Sequence, residues 1–217
     1  MRKKKDTEIL KYYKTLLKAF GPQGWWPGET DFEVIIGAIL TQNTAWSNVE
    51  KAIRNLKEKG VLNPKGLHAL DTGELALLIR PAGYFNVKAK RLKHFTNHLF
   101  DNHKGDLGRL FNKSAEGLRE ELLNINGIGP ETADSIILYA AGKPEFVVDA
   151  YTKRIFSRHG LLPEDAGYED VKAVFTESLP PDTRTFNEYH ALIVKTGKDF
   201  CKTKAPLCLS CPLKEYI

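Results

Sequence analysis

The chain reads as an all-α protein on three observations. Apolar residues recur at helical spacing in one segment after another, strand patterns are sparse, and neither an internal repeat nor a low-complexity linker interrupts the series. Thr7–Ala19 opens it as an amphipathic helix, ended by the turn-rich, aromatic stretch Gly21-Pro-Gln-Gly24-Trp25-Trp26-Pro27-Gly28. Phe32–Thr41 is apolar on nearly every face, the pattern of a buried helix. Ser47–Lys59 follows, closed by Gly60, and then Asp71–Arg80, Val87–Asn102, Ala115–Leu123 and Thr132–Ala141. Ala150–Arg158, Tyr168–Ser178 and Thr183–Lys198 complete the series before a short cysteine-bearing tail.

At 217 residues the chain can bury a sizeable core, in one compact unit or two small lobes. Its net charge of +5 favours a polyanionic partner. No run approaches the roughly 18 apolar residues that span a bilayer, so no membrane partner is expected. The start, Met1-Arg-Lys-Lys-Lys-Asp6, is basic without an apolar segment behind it and does not read as a secretory leader. Three cysteines, all from Cys201 onward, make no disulfide framework and point to a reducing, cytoplasmic setting. No heptad or interface stripe stands out, and a monomer is expected.

The most informative stretch is Leu123-Asn-Ile-Asn-Gly127-Ile-Gly129-Pro-Glu131, which turns directly into the helix from Thr132. Gly127 and Gly129, one apolar residue apart, permit φ > 0 and let backbone come close to a partner. The following helix N-terminus favours an anion, and Pro130 suits its first position. A tight corner needing glycine only for packing is the alternative. Farther on, Asp149 ends the apolar run Phe146-Val-Val148 and begins the next helix. A helix cap is the simplest role for it.

The whole arrangement resembles the endonuclease III superfamily of DNA repair glycosylases, with its helix-hairpin-helix, Gly/Pro-rich turn and aspartate. The hairpin runs roughly from Gly117 to Tyr139. The resemblance takes in Ile39-Leu-Thr-Gln42-Asn43-Thr44, Pro81-Ala-Gly83-Tyr84-Phe85, Asn187-Glu-Tyr-His190 and the cysteine-rich tail, so it spans most of the chain from about Asp31. It implies two helical lobes: a six-helix barrel at residues 30–141 carrying the hairpin, and a second lobe of residues 1–29 plus 142–217. The active-site cleft would lie between them, with Asp149 at the cleft as catalytic carboxylate. It further implies damaged double-stranded DNA as partner, phosphate held at Gly127 and Gly129, and Gln42-Asn43 as a polar wedge where a base leaves the stack.

Strand-cutting members of that superfamily carry a lysine two residues after the second hairpin glycine, whose amine forms a Schiff base with the sugar. Here the position is Glu131, which cannot form an imine, so the chain looks like a monofunctional glycosylase using water. Lys153 and Lys195 are the amines that a lyase step would have to recruit from elsewhere. The Gly24-Trp25-Trp26-Pro27 loop and Thr41-Gln42-Asn43-Thr44 look like those of bacterial 3-methyladenine glycosylases. An alkylated purine is cationic and stacks well on indole. Trp25, Trp26 and Trp46 are therefore base-pocket residues, Trp25 and Trp46 the preferred pair, with Glu131 at the pocket entrance. Each tryptophan could instead be core.

Cys201, Cys208 and Cys211 match three of the four positions of the iron–sulfur loop in many relatives of endonuclease III, and the fourth falls on Ile217. Four thiolates are the ordinary complement. A [4Fe-4S] cluster with an atypical fourth ligand, a three-iron cluster, a loop without metal and a three-cysteine zinc site all stay open. A bound cluster would order Lys202 and Lys204 against phosphate. Two other functions compete: an endonuclease III-like glycosylase and lyase for oxidised pyrimidines, and a non-catalytic DNA-binding hairpin protein in which Asp149 only caps a helix.

Overall fold

The computed structural model describes residues 2–25 and 28–217, with side chains from residue 8 onward. Among the described residues there are twelve α-helices and no strand. None of these helices is long and apolar enough to cross a membrane. The chain divides into two compact units, residues 27–143 and residues 1–26 with 144–217.

The first unit is built around α2 (Asp31–Leu40), whose residues from Phe32 to Leu40 are all buried. Thr30 caps it by accepting from Glu33 N. Glu33 is tolerated inside because Lys57 of α3 (Trp46–Glu58) pairs with it at 2.9 Å. Then come α4 (Pro64–Ala69), α5 (Thr72–Leu78), a 3₁₀ turn at Arg80–Ala82 and the long α6 (Phe85–His103). The series closes with α7 (Leu107–Phe111), α8 (Ala115–Leu123) and α9 (Pro130–Ser135). α9 runs on as a π-helical turn, Ile136–Ala140, where a helix over Thr132–Ala141 was expected. The helix expected over Asp71–Arg80 is shorter, because Asp71 caps it and Arg80 already belongs to the 3₁₀ turn.

One buried cation fixes the middle of this unit. Lys88 of α6 is 1% exposed, and its ammonium donates to Leu40 O (2.8 Å), Thr44 Oγ1 (2.6 Å) and Ala82 O (2.8 Å). A charge taken out of water needs such acceptors. Burial, helped by the nearby charge of Arg91, pulls its pKa down to about 8. The three acceptors belong to the end of α2, the turn after it and the 3₁₀ turn, so one side chain sets all three.

The second unit comprises α1 (Arg2–Phe20), α10 (Ala150–Arg158), α11 (Tyr168–Ser178), α12 (Thr183–Asp199) and the tail. Its core is aromatic. Phe146 stacks on Phe175 at 4.1 Å and meets Phe186 edge-on at 5.5 Å. Fully buried Tyr189 donates its hydroxyl to Ile9 O (2.9 Å), tying α12 to α1. With Phe146, Val147 and Val148 buried, the extended segment before α10 is anchored, and the residue after it is placed accordingly.

Replacing Lys88 with methionine leaves Leu40 O without its donor. We expect a loss of about 3 kcal/mol, read by thermal unfolding as a fall in Tm of roughly 6–12 °C.

Candidate active site

Asp149 follows the buried valines in extended conformation and serves as N-cap of α10. Its Oδ1 accepts from Thr152 N (2.7 Å) and Thr152 Oγ1 (2.8 Å), one half of a capping box. Its Oδ2 lies 3.5 Å from Nε2 of His190 on α12. Burial pushes the carboxyl's pKa up, but the His190 imidazole and the Thr152 donors outweigh this and hold it below its ordinary 3.8. The carboxylate is thus ionised at neutral pH, with one oxygen committed to the helix and the other facing the His190 imidazole.

Trp25 belongs to the same cluster. Its indole stacks on the His190 ring, centroids 5.4 Å apart and planes 13° from parallel. The loop bearing it is held by Glu188 Oε1, which accepts from Gln23 N (2.6 Å). His190 is therefore gripped at one edge by Asp149 and on one face by Trp25. The sequence displayed His190 within a motif but assigned it no role. Its signal was a polar residue at the head of the apolar run Ala191–Val194 on a buried helix face. Trp26 lies outside the described residues.

The hairpin, in the other unit, differs from expectation at one glycine. Gly127 has φ +93, and a Cβ there would come within 2.3 Å of Arg91 Cγ. Gly129 has φ −96 and ψ 178, which any residue adopts, and a Cβ there meets nothing within 4 Å. Nothing inside the chain demands glycine at 129. Pro130 takes the first position of α9, as expected, and Glu131 is exposed in its first turn.

Gln42 is a brace in this unit. Its Nε2 donates to Gly127 O (3.1 Å) and Thr132 Oγ1 (2.9 Å), while Oε1 accepts from Arg91. Arg91, also unassigned by the sequence, thus lies against Gly127 and bonds Gln42. Asn43 is exposed with φ +52. Trp46 begins α3, half-buried, and donates its indole N–H to Glu50 Oε1 (2.9 Å).

In the tail, Cys201, Cys208 and Cys211 line one cavity of about 200 Å³ with Arg158, His159 and Ile217. Burial raises the Cys211 thiol, and the two neighbouring cysteines add to the rise. Among the described residues the three sulfurs do not form a group within 4.8 Å of one another, so this geometry does not suit a single zinc ion. Thiols dispersed around a cavity fit a larger iron–sulfur group at three of its corners. The loop has its own scaffold: Arg158 donates to Lys202 O (2.7 Å), Thr203 O (2.8 Å) and Cys201 Sγ (3.3 Å). Lys202 and Lys204 are exposed on it.

Comparison with known proteins gives consistent matches. The family model described as HhH-GPD superfamily base excision DNA repair protein matches residues 36–181. A Methanocaldococcus jannaschii protein, named as a candidate DNA repair glycosylase, is 51% identical over all of this chain and 98% of its own length. Endonuclease III of Sulfolobus acidocaldarius is 28% identical over 85% of this chain and 80% of its own. Among solved structures, H. pylori 3-methyladenine DNA glycosylase bound to 1,N6-ethenoadenine is 30% identical, with TM-score 0.76 over 89% of this chain and 97% of that one. An endonuclease III–DNA covalent intermediate has the same fold, with TM-score 0.84 at 24% identity over 97% and 94% of the two chains.

The capping geometry separates two substitutions at one position. Asp149→Ala should lose about 1–2 kcal/mol of stability, and Asp149→Asn, which keeps a capping oxygen, less than about 1 kcal/mol. Because the folded carboxyl's pKa is depressed, its ionisation stabilises above pH 3.8 and is lost as pH falls through the lower folded value. Acid titrations followed by circular dichroism should therefore show the wild-type advantage over Asp149→Asn closing only below pH 3.8.

Proposed function

Because the chain belongs to the HhH-GPD superfamily of base excision DNA repair proteins and is a DNA N-glycosylase, we propose that it is monofunctional and removes alkylated purines such as 3-methyladenine. The observation that carries this reading is the divided carboxylate of Asp149, ionised and with Oδ2 not consumed by the helix cap. The target base must leave the stack before its glycosidic bond can be reached. As that bond lengthens, its electron pair goes to the base and positive charge builds on the sugar. Asp149 stabilises that charge and accepts a proton from the water that adds to C1′. His190 touches Asp149 rather than the reacting atoms and acts as its positioning residue.

Water chemistry without strand scission is supported by what the candidate amines do. Glu131 occupies the place of the lyase lysine. Lys153 donates to Ala166 O (3.0 Å), Lys195 pairs with Asp199 (3.1 Å), and Lys88 is buried among three acceptors. Lesion choice is supported by Trp25, stacked on the histidine that faces Asp149, and by the likeness to the H. pylori 3-methyladenine glycosylase. Trp25, Trp26 and Trp46 are assigned to base stacking and Glu131 to the pocket entrance.

The wedge falls to Asn43, exposed on a left-handed turn, with Gln42 bracing it against the hairpin. Gly127 and Gly129 take backbone phosphate, a contact that positions without reading sequence. Cys201, Cys208 and Cys211 would hold an iron–sulfur cluster, which when bound adds order to the loop presenting Lys202 and Lys204 to DNA. We take the enzyme to act as a cytoplasmic monomer.

Methylated duplex DNA tests the assignment. Free 3-methyladenine should appear, with strand breaks only after hot alkali. Asp149→Asn should lower release roughly 10²–10³-fold while DNA binding is kept or tightened. Breaks without alkali, or excision confined to oxidised pyrimidines, would overturn it.

A further inference from the structure

A second cluster of ionisable side chains lies in the unit of residues 27–143, unused by the chemistry above. His98 and His103 stand on the last turns of α6, and Glu121 on the last turn of α8. Their Nε2 atoms approach the same carboxylate oxygen, Glu121 Oε1, at 2.7 Å and 2.5 Å. The three donor atoms all lie within 4.8 Å of one another, and among the described residues this is the sole such group of histidine, cysteine or acidic side chains.

We propose that His98, His103 and Glu121 form a binding site for a divalent transition cation of the Zn²⁺ type, held by two imidazole nitrogens and one carboxylate oxygen. Two histidines and a glutamate are a recognised zinc donor set with a position left for water. The surroundings suit it in two ways. Lys113 pairs with Glu121 Oε2, which leaves Oε1 as a single directed donor. Both helices end here, so their dipoles present negative ends to a cation.

His103 and Glu121 have side chains only 9% and 12% exposed, whereas His98 is 23% exposed. His98 also borders a polar surface recess with Asn97, Asp101 and Asn102, which gives an ion its way in. A cation here would clamp α6 to the helix that leads into the hairpin. The site is structural and independent of the glycosylase reading.

The test uses full-length protein labelled with ¹⁵N-histidine, stripped by chelation and titrated with Zn²⁺. The Nε2 resonances of His98 and His103 should shift together and saturate at one equivalent. Glu121→Gln should weaken Zn²⁺ binding at that site at least tenfold. If that variant unfolds, the more exposed His98→Asn should show the same loss together with an unshifted His103. Zn²⁺ uptake that leaves both imidazoles unmoved would place the ion on the tail thiols and overturn the proposal. So would the absence of uptake, leaving the cluster a salt-bridged clasp alone.

Discussion

The burial of one ammonium organises the unit of residues 27–143. Lys88 cannot enter the interior unless three oxygens meet it, and those oxygens are the Leu40 carbonyl, the Thr44 hydroxyl just after it and the Ala82 carbonyl of the 3₁₀ turn. Satisfying the charge therefore specifies where α2 stops, how the chain turns at Thr44 and where the 3₁₀ turn lies. The next residues inherit that order: Gln42, on the same turn, spans to Gly127 and Thr132, and Arg91, one helical turn beyond Lys88, secures the other end of Gln42. An apolar residue at 88 could fill space but would not join these segments. Polar groups here supply definition, while the apolar helix α2 supplies the burial that drives folding.

Asp149 shows that a structural and a chemical role need not compete for one residue. A carboxylate has two oxygens, and the capping box consumes only one of them. The cap fixes the direction of the carboxylate, and its other oxygen faces the buried His190 imidazole. Thr152, which donates twice, contributes to acidity as well as to helix initiation. A helix start is a rigid mount, and the aromatic core around Phe146 and Tyr189 stiffens the segment leading to it.

Longer helices were legible because nine or more residues give periodicity room to register; α10 and α11 begin and end where the pattern placed them. The short helices α4 and α7 were not found. Five or six residues carry too few apolar positions, and the caps Asn63 and Asp106, with Pro64 opening α4, were the signals that marked them. The π-helical turn also escaped, since its composition is that of any buried helix. At the candidate site, residues whose role is intrinsic were readable: a glycine at positive φ, a carboxylate after an apolar run, a glutamate in place of an amine. Roles made by long-range partners were not. His190 acquires its meaning from Asp149, and Arg91 from Gln42 and Gly127. Gly129 erred the other way, because its identity suggested a backbone twist that the chain does not make.

The Trp25–His190 stack gives the protein an optical property. An imidazole laid parallel against an indole quenches its emission, more strongly when protonated, so the stack dims Trp25. Any ligand that slides between the rings, or draws the indole onto itself, alters that coupling. The residue proposed to hold a base is thereby also the chromophore that would report its arrival, so occupancy becomes visible in the native chain without an attached dye.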